Sequence, residues 1–595
     1  MLTSLRSSKI YSVSRCPMAA VAGGSLALLA MPALAGTPQA MTLVPDDAAV
    51  VVVIPNLGEL LGDIDAINAM MGPMGKMEVT MGTSMLRGMP GIDLGGSAAV
   101  VLDFDGDFEN EPDAVVMVPV SSFADLTRGL EPVDGIVEFP MGGDMIYFRD
   151  LGNGYAAMSN VGEIVSDFVP ASKSMEEAQA MLGTAGSRVA NDNDVMVYLN
   201  FDAVRPMLEE SFAELEAQGD MVEMMGGAQA AQGFDTFVNL YKTAVKDGHA
   251  AVSGMSFDAG SGFAFDFGLQ FREGSDSAAM FHNDGDSGSY FDRVPEMDFF
   301  FAQAFDLRGE GIQAMMSGYL EMIEKFDTTG MMSGMGFETM IKEFQGGAQV
   351  MGATNIMAMN GILANTVMYT EGVNADDAIG AMKGMYGSMG DMEMPGMGVS
   401  ASFSEEASTV NGVEAYSHSM SFEIDPAMAG GGGFGAPDPA MMLQMMYGPS
   451  KGPAGYVAKA GKGMVVTFSQ DGDLLARAYK AAAGGENTMM GNTGIAAAAA
   501  MLPENRVYEA YMGVEQLLNS AGPMMMMFGL IPEFEPLDGV TPIAFGATAD
   551  GGGMMVRTVI SLDTVNAIMD LVPADALGGG GGDDWDDEDD DSMDF

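Results

Sequence analysis

Val44-Pro45-Asp46-Asp47-Ala48-Ala49-Val50-Val51-Val52-Val53-Ile54-Pro55-Asn56-Leu57 is the stretch on which the reading of this chain turns. Its apolar run from Ala48 to Ile54 has strand length and is bounded by Pro45 and Pro55, which predicts a buried strand. The same phrase returns as Val294-Pro295-Glu296, an apolar run, and Ala304-Phe305-Asp306-Leu307. Four further echoes follow in the same order. Val115-Val116-Met117 leading to Ala124-Asp125 is matched by Val367-Met368 leading to Ala375-Asp376. Residues 147–159 are matched by 456–469, and 195–208 more loosely by 507–518. Gly254, Asp258 and Gly260 recur as Gly546, Asp550 and Gly552. Ordered self-similarity at so long a period predicts two homologous domains, not a short-repeat solenoid.

The expected fold class is therefore α+β. Two tandem duplicated domains, 41–292 and 293–577, would each carry a mainly antiparallel sheet with packed helices. In the first, Leu57, Leu60, Leu61 and Ile64 fall at helical spacing after the opening strand. Strands follow at 98–104 and 114–120. Leu151-Gly152-Asn153-Gly154 marks a hairpin, because Asn-Gly tolerates positive φ. A closing hairpin turns about Asp258 to Gly262. The second domain repeats the plan, with a Met- and Gly-rich insertion near 384–452 that lacks a counterpart in the first.

Both ends differ in composition from the body. Arg6, Lys9 and Arg15 precede an apolar stretch ending Ala33-Leu34-Ala35, which reads as a signal peptide over 1–35 cleaved after Ala35. The mature part would then be periplasmic or extracellular. Residues 578–595 open on five glycines and continue almost wholly acidic, a composition expected to give a disordered tail. The sole cysteine, Cys16, lies in the leader, so neither disulfides nor a thiol nucleophile are expected in the mature chain. Net charge is −58, which repels phosphate backbones and anionic headgroups and excludes nucleic acid as a partner. Beyond the leader no apolar run is long enough to span a bilayer.

Few motifs carry chemistry. Methionine, at 61 residues, clusters in several places, and Met392-x-Met394-x-x-Met397 has the close thioether spacing of soft-metal sites. The competing reading is that methionine fills core gaps as a flexible apolar side chain. Asp103-x-Asp105-x-Asp107 alternates oxygen ligands as a calcium loop does, although glycine falls at the fourth place and the segment is also a plain acidic turn. Gly448-Pro449-Ser450-Lys451-Gly452 spells a nucleophile elbow without the strand and helix that one requires. His249, His282 and His418 are dispersed. No catalytic residue and no cofactor are nominated.

The leader, the Pro45-Asp46 opening strand and the long α+β body resemble uncharacterised exported bacterial proteins grouped as a domain of unknown function, many of which open on a Pro-Ala-Asp-Thr-like strand. The resemblance covers residues 44–61 and implies no activity or site. The expectation is an exported, non-enzymatic cell-envelope protein, a structural or binding module of unknown ligand with an envelope or extracellular partner. The alternative is a carrier of an apolar, lipid-like ligand in a pocket lined by curved sheets and Met-rich helices. A third reading is Cu(I) or Ca²⁺ binding, with inorganic cations as partners.

Overall fold

The apolar run at Val50 is a strand, and it lies at the middle of its half of the sheet. The fold is known from a computed structural model, which describes residues 37–70, 83–104, 112–141, 144–217, 234, 238–239, 241–283, 285–313, 317, 344–354, 361–372, 374–390, 393–394, 397–424, 439–527, 531 and 534–571. The leader, the glycine run 430–435 and the acidic tail lie outside these residues.

The first half contributes β1 (Val50–Ile54), β2 (Ala98–Asp103), β3 (Asp113–Pro119), β4 (Ile136–Met141), β5 (Asp144–Gly152), β6 (Tyr155–Ser159), β7 (Val195–Asn200), β8 (Gly248–Asp258) and β9 (Gly262–Phe271). The second contributes β10 (Phe299–Asp306), β11 (Phe344–Gly352), β12 (Thr366–Gly372), β13 (Glu393–Met394), β14 (Met397–Phe403), β15 (Ser408–Val410), β16 (Val413–Ile424), β17 (Ala454–Ala460), β18 (Gly463–Thr467), β19 (Arg506–Met512), β20 (Ile543–Asp550) and β21 (Gly553–Ile560). Helices used below are α1 (Leu57–Met70), α2 (Met175–Asp192), α3 (Ala375–Gly390), α4 (Pro439–Tyr447), α5 (Gly472–Ala482), α6 (Val514–Met527) and α7 (Leu562–Met569).

The strand pairings are antiparallel and join into one sheet. From one edge the first half runs β4, β5, β6, β3, β2, β1, β7, β8, β9. Strand β9 then pairs along its length with β21, and the order continues β20, β19, β10, β11, β12, β18, β17, β16, β14, β13. Both halves thus list their pairings in the same sequence order. Val51 lies between Val101 and Tyr198, and Ala302 lies between Val350 and Tyr511, with both tyrosines buried. The hairpin between β5 and β6 turns through Asn153 (φ 53°) and Gly154 (φ 81°), as its spelling predicts. Within the 384–452 stretch lies β16, which pairs with β17 as β4 pairs with β5.

Helices α2 and α5 cover one face of the sheet, called inner here. In the first half Leu182, Val189 and Ala190 of α2 pack with Val51, Met196, Tyr198 and Val252. In the second, Leu474 and Ala478 of α5 pack with Ala302, Val350, Val465 and Tyr511. Helix α2 starts at a capping box, in which Ser174 and Glu177 satisfy each other's backbone N–H groups. It bends at Gly183 (φ 68°), where a Cβ would stand 2.4 Å from Gln270 Cγ. The bend carries the rest of α2 across β8, β9 and β21.

From that position α2 ties the two halves together. Arg188 donates to both carboxylate oxygens of Asp550 at 2.9 and 2.7 Å. Ala185 N donates to Gln270 Oε1, and Gln270 Nε2 donates to Gly551 O. Beneath it, Asp266 of β9 stands opposite Arg557 of β21. Arg557 Nε donates to Asp266 Oδ1 (2.8 Å), and Nη2 donates to Asp266 Oδ2 (2.5 Å) and Asp192 Oδ2 (2.9 Å). Asn193 Nδ2 supplies a further donor to Asp266.

The Asp266 side chain is fully buried and that of Arg557 nearly so, so removing one partner strands the other's charge. Arg557→Met is expected to destabilise the protein by about 3–5 kcal/mol, and Asp266→Leu/Arg557→Met to recover most of that loss. Denaturant unfolding of the single and double variants measures both values.

Candidate functional site

The structure describes only part of each group of residues that spacing nominates. Asp103 is exposed at the end of β2, opposite Asp113, while Asp105 and Asp107 lie outside the described residues. Met394 of β13 faces Met397 of β14 across a two-residue ladder, and Met392 is outside the described set. Among the described residues no group of three or more His, Cys, Asp or Glu side chains is placed to hold a metal ion. Methionines of α3 have a packing role. Met382, Met385 and Met389 fill the space against Met420, Met464 and Val466.

Nor does the elbow spelling form an elbow. Ser450 Oγ lies within hydrogen-bond distance of the Tyr447 and Gly452 carbonyls, to one of which its single O–H donates, and Lys451 turns the chain at φ 56°. His418 is buried, with Nε2 donating to Thr467 O at 2.9 Å, so Nδ1 accepts from Tyr386 OH at 2.7 Å. Burial pushes its pKa down to about 4, which keeps it neutral within an aromatic cluster that includes Phe403 and Phe468.

Two unusual surfaces remain after these assignments. The first is a buried acid. Asp63 projects from α1 with 1 % exposure, and among the described residues neither of its carboxylate oxygens has a hydrogen-bond partner. Burial pushes its pKa up to about 9, and Asp194, Glu59, Asp258 and Asp65 add repulsion. Asp194, which accepts from Phe257 N, is pushed up to about 6, again chiefly by burial. The signal was visible in sequence as a charge between Leu60 and Ile64 on the apolar side of a helix.

The second is the outer face of the sheet, where the alternation in β9 runs opposite to the usual pattern. Asp266 and Gln270 point inward and are buried, while Phe265 and Phe267 point outward and are 41 % and 44 % exposed. The inward polar residues are tied up by Arg557, Asn193, Ala185 and Gly551, so burying them leaves these bonds made. The outward aromatics belong to rows that cross the whole junction. One row passes Val52, Val197, Ser253, Phe267, Val556, Ala547, Tyr508 and Phe305. The next passes Met255, Phe265, Thr558, Phe545, Ala510, Gln303 and Gln349. Neither row contains a charged residue, in a chain of net charge −58.

Even the polar groups of these rows are partly turned on one another. Tyr508 OH donates to Gln303 Oε1, and Gln303 Nε2 donates to Gln349 Oε1, each at 2.8 Å. Tyr508 also meets the Phe545 ring edge-on at 5.7 Å. Helix α1 covers one end of the face, through Leu60 and Ile64 on Val52, Ile54 and Val195 and through Ala66 and Ile67 against Phe257 and Phe263. Val197, Phe265, Phe267 and Met512 stay exposed beyond it.

No protein family, curated protein or solved structure matches the chain. The likeness of residues 44–61 to exported proteins therefore does not extend to a family assignment. Among the described residues no helix is long and apolar enough to cross a membrane.

Asp63 supplies a pH test. Its folded pKa of about 9 lies above the ordinary 3.8, so between these values the folded state holds a proton that the unfolded chain has released. Its contribution to stability is therefore full at acid pH and is lost as pH rises toward 9. Asp63→Asn should flatten this slope and raise stability at alkaline pH by about 1–3 kcal/mol, measured by denaturant unfolding across a pH series.

Proposed function

We propose that this chain is an exported, non-enzymatic binding protein that holds an uncharged, chain-like apolar ligand, such as a lipid acyl chain, on the outer face of its sheet. The supporting observation is the inverted alternation of β9, which directs Phe265 and Phe267 into solvent and Asp266 and Gln270 into the protein. A soluble protein gains nothing in its own fold from exposing such rings. Covering each one would yield about 1 kcal/mol. The absence of charge along both rows suits an apolar occupant and offers nothing to an ionic headgroup. A second copy is a poorer occupant, since pairing would bring two bodies of net charge −58 face to face.

We also infer that the sheet arose by duplication. Asp258 faces Gly262 across the β8–β9 hairpin, and Asp550 faces Gly553 across the β20–β21 hairpin. Asp266 and Arg557 each lie four residues beyond those glycines and are paired with each other. Equivalent strands would therefore meet about a local twofold axis through this one pair. In a dimer of identical chains that position would confront its own like, whereas duplicated halves can hold opposite charges there.

Binding of an uncharged fluorescent acyl probe to the mature protein tests the functional reading. Saturable binding is expected, weakened about tenfold or more by Phe265→Ser/Phe267→Ser, with native mass spectrometry finding lipid on the purified protein. An absence of saturable binding, or a dimer dispersed by the same two substitutions, would contradict it.

A further inference from the structure

A second apolar surface lies away from the Phe265–Phe267 face and has a different character. Helix α4 contains no charged residue, and Met441, Met442, Met445 and Met446 are 37–55 % exposed along it. The end of α6 adds Met526 and Met527, also exposed. The two helices are linked through described residues of two neighbouring segments, 361–365 beneath α4 and 353–354 beside α6. The turn Ile362–Asn365 packs beneath α4, with Gly361 against Tyr447 and Gly448. Asn365 Nδ2 donates to Ala353 O, and Ser520 Oγ of α6 donates to the neighbouring Thr354 O. Beside α6 a cleft of about 540 Å³ opens, into which Asp298 and Glu515 bring carboxylates.

We propose that this surface docks a basic amphipathic helical segment of a partner protein. Each half of that description has its own cause. Unbranched, polarizable methionine side chains adapt to an apolar helix face without imposing one shape on it. A body of net charge −58, with two carboxylates at the cleft, attracts lysine and arginine flanks and repels acidic ones. The same charge disfavours an anionic bilayer as the occupant. A helix in a groove buries its apolar stripe and leaves its cationic side facing the surrounding acid. The argument does not depend on what occupies the Phe265–Phe267 face.

Three labelled synthetic peptides of equal length test it against the full mature chain: an amphipathic Leu/Lys helix, an amphipathic Leu/Glu helix, and a Leu/Lys peptide scrambled to lose its apolar face. Fluorescence anisotropy at about 0.15 M salt keeps long-range attraction screened. Only the amphipathic Leu/Lys helix should bind saturably. Its affinity should fall about tenfold or more in Met441→Ser/Met442→Ser/Met445→Ser/Met446→Ser and persist when the same four residues become leucine. Phe265→Ser/Phe267→Ser should leave it unchanged. Equal binding of the scrambled peptide, binding of the Leu/Glu helix, or indifference to the serine variant in a protein whose thermal midpoint is preserved would each overturn the proposal.

Discussion

The buried pair between Asp266 and Arg557 is the contact on which the architecture depends, because it lies where the strand series of the two halves would otherwise end in open edges. An unpaired edge strand exposes a row of N–H and C=O groups that recruits other chains. Here the edges of β9 and β21 satisfy each other. The ion pair, with Asp192 and Asn193 above it, then fixes their register. A slip of one residue would turn Phe267 inward and expose Asp266, so register and the identity of the outer face are set together. A buried ion pair adds little net stability over an apolar pair of similar size, but breaking it is costly. Its consequence is positional: one alignment of β9 on β21 is allowed and the adjacent ones are not.

The distribution of charge follows the same economy of positive groups. The chain has 25 lysines and arginines against 83 aspartates and glutamates. Arg188 on Asp550 and Arg557 on Asp266 and Asp192 join separate elements, while Arg506 on Glu509 and Arg308 on Asp306 pair locally with buried carboxylates. Many carboxylates are left to the solvent, which keeps copies of the molecule apart and permits large apolar surfaces without self-association. Asp63 is the exception, a carboxyl group buried on α1 without a cationic partner among the described residues, and its protonated form is the one the fold accommodates.

Much of the sheet could be read from local sequence, and the reasons differ from strand to strand. Strand β1 was legible because a valine run between two prolines fits a buried strand and little else. The turn at Asn153-Gly154 was legible because its residues tolerate positive φ. Helix α2 was not read, although Ser174 and Glu177 spell its capping box. Strand β16 went unread although Tyr416, His418, Met420 and Phe422 alternate with Ser417, Ser419 and Ser421 at the period of a half-buried strand, whereas in β4 Glu138 and Pro140 interrupt the apolar pattern. The pairing of β9 with β21 has no local signature at all, since it joins segments far apart in the chain. Period-two patterning in β9, taken alone, would assign Phe265 and Phe267 to the core. Apolar residues are assigned to the core by default, and only Arg557, contributed by the other half, reverses that choice. The spacing of Asp103, Asp105 and Asp107 or of Met392, Met394 and Met397 fixes which residues are near in sequence, not which converge in space, and Asp105, Asp107 and Met392 lie outside the described residues.

Hydrogen exchange across the junction tests the central claim most directly. If β9 and β21 are paired as interior strands, amides in residues 262–271 and 553–560 should exchange only through global unfolding, as slowly as those of β1 at 50–54. Exchange of either segment orders of magnitude faster than β1 would show an open edge between the halves, and the single-sheet account would fail.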